Sequence, residues 1–175
     1  MKRIMGVGLA LAIAAAIVVG AAGWAASSSG VKVFTFGRLV GVSGAFLGSS
    51  MPLRGVSGGG LPWVIAQGQA IFFANGRLVV EVNGLVIDPA NLTAQKRGIA
   101  GTNPVPFFFA TLSCLDNTGA TVNTNTTTAA AATSTGNATM VDVLTPPSPC
   151  FAPIVLVRGS TTGAPSGPWF AASGF

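Results

Sequence analysis

The chain has 175 residues, half of them hydrophobic, with nine basic and four acidic side chains, two cysteines, and no histidine or tyrosine. Charged residues make up 7%, against about 25% in an ordinary soluble protein. Without histidine there is no Ser-His-Asp or Cys-His machinery, no imidazole metal ligand and no side chain that ordinarily titrates near neutrality. The four acids, Glu81, Asp88, Asp116 and Asp142, are too few for most metal cages.

The N-terminus reads as an export signal. Lys2 and Arg3 form a positive start, the run Ile4–Ala22 is apolar or glycine throughout, and Ser27-Ser28-Ser29-Gly30 opens a polar stretch. Small residues at Gly23 and Ala25, or at Gly20 and Ala22, fit a cleavage site. The expectation is a signal peptide over 1–25. An uncleaved anchor is the alternative, since the run also approaches the length of a membrane span, about 20 residues. Its alanines and glycines favour cleavage over retention.

With the signal removed, residues 26–175 are the size of one domain. Lys2 and Arg3 leave with it, so seven scattered bases face four acids, and only Lys96-Arg97 are adjacent. That is no basic stripe for nucleic acid, which is excluded as a partner. The membrane is a partner only through the N-terminal segment, if uncleaved. Cys114 and Cys150 make an even count in an exported chain, which points to a structural disulfide.

Beyond Gly30, short runs rich in Val, Ile, Phe and Thr recur, cut by Gly, Pro, Asn and Ser. Strands are expected at Val31–Phe36, Arg38–Val42, Trp63–Ala66, Gln69–Ala74, Arg77–Val82, Leu85–Ile87, Pro106–Leu115, Ala120–Thr126, Ala138–Leu144, Ile154–Arg158 and Trp169–Ala172. Asn75-Gly76 suggests a two-residue type I′ hairpin, which pairs Phe73 with Leu78 and Ile71 with Val80. Its core face would then be Ile71, Phe73, Leu78, Val80 and Val82. Asn83-Gly84 suggests a bulge in one long strand, with a second tight turn as the alternative. Period two puts Phe108, Ala110, Leu112 and Cys114 on one face. Mobile loops are expected near 43–61, where glycine is dense, and near 126–136, where alanine and threonine offer little to pack.

The fold class expected is all-β: a single Greek-key, immunoglobulin-like β-sandwich after an N-terminal signal helix. An eight-stranded outer-membrane barrel is the rival, raised by the terminal Phe175, but the strands look short and girdle tyrosines are absent.

Several motifs dissolve on inspection. Gly55-Val56-Ser57-Gly58-Gly59 matches Gly-x-Ser-x-Gly, yet glycines follow it where a nucleophile elbow needs a helix and a histidine base. Lys32 and Lys96 are formal bases for a serine dyad, but no Ser-x-x-Lys spacing exists. Asp116-Asn117-Thr118-Gly119 has calcium-type oxygens without the alternating acids of a dedicated loop. Asn91-Leu92-Thr93, Asn125-Thr126-Thr127 and Asn137-Ala138-Thr139 fit the glycosylation pattern and matter only in a glycosylating host. Trp63 and Trp169 each follow a proline and are the candidate binding aromatics, with core packing as the plainer role.

The expectation is therefore a secreted or cell-surface, non-catalytic domain without cofactors, structural or adhesive in an envelope or matrix. Its partner would be itself or another envelope protein. A secreted module binding a small ligand or glycan is the alternative.

Overall fold

The computed structural model describes residues 30–173. The expected signal segment and Phe175 lie outside them. The described chain is all-β: antiparallel sheets in a sandwich-like arrangement with one five-residue helix. Its twelve strands are β1 (Lys32–Phe36), β2 (Val40–Gly41), β3 (Trp63–Val64), β4 (Gln67–Phe73), β5 (Arg77–Asn83), β6 (Val86–Ile87), β7 (Phe107–Leu115), β8 (Thr121–Asn125), β9 (Ala130–Ala131), β10 (Ala138–Val143), β11 (Phe151–Ser160) and β12 (Trp169–Ala172).

One sheet runs β1-β4-β5-β10; the second runs β2-β12-β11-β7-β8, with β9 also pairing β7; β3 and β6 make a third, small sheet. Among the described residues this is no closed eight-stranded barrel. One hydrophobic cluster draws Ala70, Phe72, Leu78, Val80 and Met140 from the first sheet and Phe108, Ala110, Leu112, Val157 and Ala171 from the second. The face expected for β7 is right: Phe108, Ala110, Leu112 and Cys114 are all fully buried. So are Phe109, Thr111 and Ser113 on its other face, as befits a strand held between β11 and β8.

The hairpin register is a correction. Phe72 pairs with Leu78, Ile71 with Val79 and Ala70 with Val80, one residue away from the expected pairing. The Gly76 N–H donates to the Phe73 carbonyl at 2.9 Å, and Gly76 alone takes a positive φ, 83°, while Asn75 does not. The connection is a type I turn followed by a left-handed glycine, a three-residue loop rather than a two-residue type I′ turn. Slipping by one exchanges the faces of β4. Ala70 and Phe72, not Ile71 and Phe73, therefore join Leu78, Val80 and Val82 in the core, and Phe34 of β1 stacks on Phe72 at 5.9 Å. Phe73 lies on the opposite face, covered by the Arg77 guanidinium 5.6 Å from its ring centroid.

Gly84 is neither a bulge within one ladder nor a hairpin. With φ at 67° it turns the chain out of the first sheet, and β6 then pairs with β3. The stretch after it also holds what pattern reading missed, the helix α1 (Leu92–Lys96). Asn91 caps it by accepting from the Ala94 N–H at 3.0 Å, buried Ala94 anchors it, and Gly98 ends it at φ 66°.

Both segments expected to be loops for want of packing are tied down. Near 43–61 the chain makes a 3-10 turn at Gly44–Phe46 and a tight turn at Arg54-Gly55. Its glycines then bond the second sheet: Gly59 N–H to the Trp169 carbonyl and Trp169 N–H to the Ser57 carbonyl. In 126–136, Ala130–Ala131 is itself strand β9, and Thr126 is buried with its backbone N–H on the Ala110 carbonyl. Buried Asn103 donates from its side chain to the Thr133 carbonyl at 2.9 Å and from its backbone to that of Ser134 at 2.7 Å.

Candidate functional site

The four acids show how little charge the fold leaves uncommitted. Asp116 closes the turn after β7: its Oδ1 accepts from the Thr118 hydroxyl at 2.6 Å and from the Thr118 and Ala120 N–H groups at 2.8 and 3.0 Å. The Thr118 hydroxyl, above all, holds this carboxyl below its usual range. Asp142 of β10 accepts from the Thr127 N–H at 2.6 Å and its hydroxyl at 2.8 Å, and that N–H is the main cause of its lowered pKa. Asp88 accepts from the Ala90 N–H at 2.8 Å, and Glu81 receives the Gln69 amide at 2.7 Å.

Glu81 and Asp88 line a groove of about 830 Å³. One wall is the segment Gly37–Gly41, where the chain leaves β1 and enters β2; the other is β3 with the start of β4. Both walls arise where strands leave the first sheet, so the groove sits at the end of the β4–β5 pair opposite its hairpin turn. Glu81 and Asn83 of β5, Gln67 and Gln69 of β4, and Arg38 all line it. The exposed Val40 and Val64 add aliphatic surface. A smaller depression of about 230 Å³, lined by Val82 and by Asn137, Ala138 and Thr139 at the start of β10, shares Glu81 and Asn83 with the groove. Sequence reading gave these positions no binding role: Glu81 and Asp88 figured only among the four acids, Asn83 in an expected bulge and Asn137 in a glycosylation triplet.

The residues singled out beforehand fall elsewhere. Cys114 and Cys150 form the expected disulfide, with Cα atoms 5.0 Å apart, fastening β7 to the chain entering β11. Trp63 and Trp169 are only 5% and 1% exposed. Trp63 stacks on Phe170 with centroids 4.0 Å apart, and Trp169 meets Phe46 edge-on at 6.1 Å. Both rings are core components, and Trp63 also reaches the lining of the groove. Lys96 sits exposed in the last turn of α1, and Ser57 belongs to the loop over the second sheet with no helix after it. The three asparagines of the glycosylation triplets each accept a hydrogen bond through the side chain: Asn91 from Ala94, Asn125 from Thr111 and Asn137 from Gly84.

Arg158 of β11 is half-buried. It donates twice to the Gly167 carbonyl, at 2.9 and 2.6 Å, and lies 4.9 Å from the Phe109 ring centroid; burial lowers its pKa. It fastens the loop before β12 onto the outer face of the second sheet. Among the described residues, no group of three or more His, Cys, Asp or Glu side chains gathers to hold a metal ion, and no helix is long and apolar enough to cross a membrane. Compared with protein-family models, curated proteins and solved structures, the chain matches none.

Proposed function

We propose that the chain is an exported, non-catalytic β-sandwich of Greek-key, immunoglobulin-like kind, a structural or adhesive component of a cell envelope or extracellular matrix that assembles with copies of itself. The observation carrying this reading is the outer face of the first sheet. Thr35, Ile71, Val79 and Val141 stand in one row across its four strands, and Val143 stands beside Arg77 in the next. Val33, Val141 and Val143 are 48%, 51% and 66% exposed, and β1 and β10 are both sheet edges. β-branched side chains on an uncovered face beside an unpaired edge favour association. A body with few charges raises little electrostatic barrier to it.

The disulfide supports an oxidising, extracytoplasmic setting, secreted or cell-surface. The engagement of all four acids in structural hydrogen bonds supports a body built for shape rather than turnover. The test is light scattering on the protein recovered from an exporting host. Wild type should gain mass with concentration, and Val143→Lys should return it to the monomer with its unfolding midpoint unchanged. A wild type that stays monomeric to its solubility limit would sink the proposal.

A further inference from the structure

We infer that the groove between Gly37–Gly41 and β3–β4, together with the depression beside it, binds a neutral, polyhydroxylated chain: an oligosaccharide. The inference deepens the adhesive reading above and rests on it for its setting, since it names what such a domain would hold. The two hollows, about 830 and 230 Å³, share Glu81 and Asn83, so the recess is elongated rather than a pit for one small molecule. Its side chains are of the kind that vicinal hydroxyls require. The amides of Gln67, Asn83 and Asn137 each donate and accept, and Thr139 adds a hydroxyl.

The Gln69 amide fixes one Glu81 oxygen at 2.7 Å, which orients the carboxylate and leaves its other oxygen as an acceptor. Val40 and Val64 supply aliphatic surface for the C–H face of a sugar ring. Charge argues against the other polymers. Arg38 lines the groove together with Glu81 and Asp88, so the lining presents neither the single-sign field that draws a polyanion nor the one that draws a polycation. Trp63 lines the groove but is only 5% exposed, so recognition falls mainly to hydrogen bonds, and affinity will be modest.

Calorimetric titration of the exported protein decides it. The probes are the neutral hexasaccharides of glucose, N-acetylglucosamine and xylose, with a heparin hexasaccharide and hexalysine as charged comparators. At least one neutral probe should bind with a Kd on the order of 10 μM to 1 mM. Asn83→Ala and Arg38→Ala, both exposed positions, should each weaken it at least fivefold while the unfolding midpoint stays put. No neutral binding at millimolar concentration, tighter binding of a charged comparator, or indifference to both substitutions would each overturn the site. Val143→Lys should bind as wild type does, so loss of assembly and loss of saccharide binding are read separately.

Discussion

Removing the Cys114–Cys150 bridge should cost more than any surface change in this molecule, for a reason that lies in the unfolded chain. The bridge spans 36 positions and encloses β8 and β9 of the second sheet and β10 of the first. Opening a loop of that length returns about 13 cal/mol/K to the denatured ensemble, or about 3.8 kcal/mol at 25 °C. In Cys114→Ala/Cys150→Ala the fully buried Cys114 also leaves a sulfur-sized gap, worth about 1 kcal/mol more. For a domain of this size the sum corresponds to a fall in Tm of about 10–15 °C. Urea unfolding followed by fluorescence of the buried Trp63 and Trp169 reads it. The m-value should rise as well, because an unbridged denatured chain exposes more surface. Cys150→Ala alone, which keeps the Cys114 sulfur in place, should retain most of the loss and so separate the cross-link from the gap. A double variant within about 1 kcal/mol of wild type, with m unchanged, would refute the reasoning.

Two further substitutions probe the joints of the fold. Gly136 has φ at 77°, and a Cβ there would lie 2.1 Å from the Leu85 carbonyl oxygen, beside the bond that the Leu85 N–H donates to the Gly136 carbonyl. Gly136→Ala should therefore lose about 2–3 kcal/mol in urea unfolding, strain plus one disturbed hydrogen bond; a loss below about 0.5 would mean that the turn relaxes freely. For Asp142 the folded pKa lies below the unfolded value of 3.8, so its stabilisation is complete above that pH and is lost as pH falls through the folded value. Asp142→Asn should accordingly melt below wild type at pH 7, the two curves converging under acid; a gap that persists unchanged at low pH would contradict the Thr127 contact as its source.

Strand positions were legible wherever a β-branched or aromatic run met glycine or proline, because those residues mark pleated segments and breaks locally. Register was not legible. Asn75-Gly76 suits a type I′ turn by its residues, yet the type I′ connection appears at Arg54-Gly55, with φ values of 53° and 77° and Leu53 and Val56 exchanging both backbone bonds. The difference at residue 76 is set by tertiary contact. The Leu144 N–H donates to the Gly76 carbonyl at 2.8 Å, so the end of β10 holds the turn in the form that aligns β4 with β5. Likewise β9 is two alanines that no propensity would mark; its partners on β7 make it a strand. Helix α1 carried its signals, Asn91 before it and Gly98 after it, but five residues are too few for an apolar period to show.

The groove was illegible for a different reason. Gln67 falls between expected strands, Gln69 opens one, Glu81 lies near the end of another and Asn83 belongs to the expected bulge, and nothing along the sequence brings them together. Their concavity exists because the chain leaves the first sheet between β1 and β2 and again at Gly84, and both of these departures flank the same end of β4–β5. Two sheet switches distant in sequence therefore build walls around side chains that a flat sheet would have spread into solvent. The charge shortage sharpens the point. A chain with only four acids places Glu81 and Asp88 on this recess together with Arg38, while Asp116 and Asp142 lock loops. Where charge is this scarce, three charges at one concavity mark the surface on which specificity has room to act, and the amides between them set its chemistry: hydrogen bonds made in both directions to a partner without net charge.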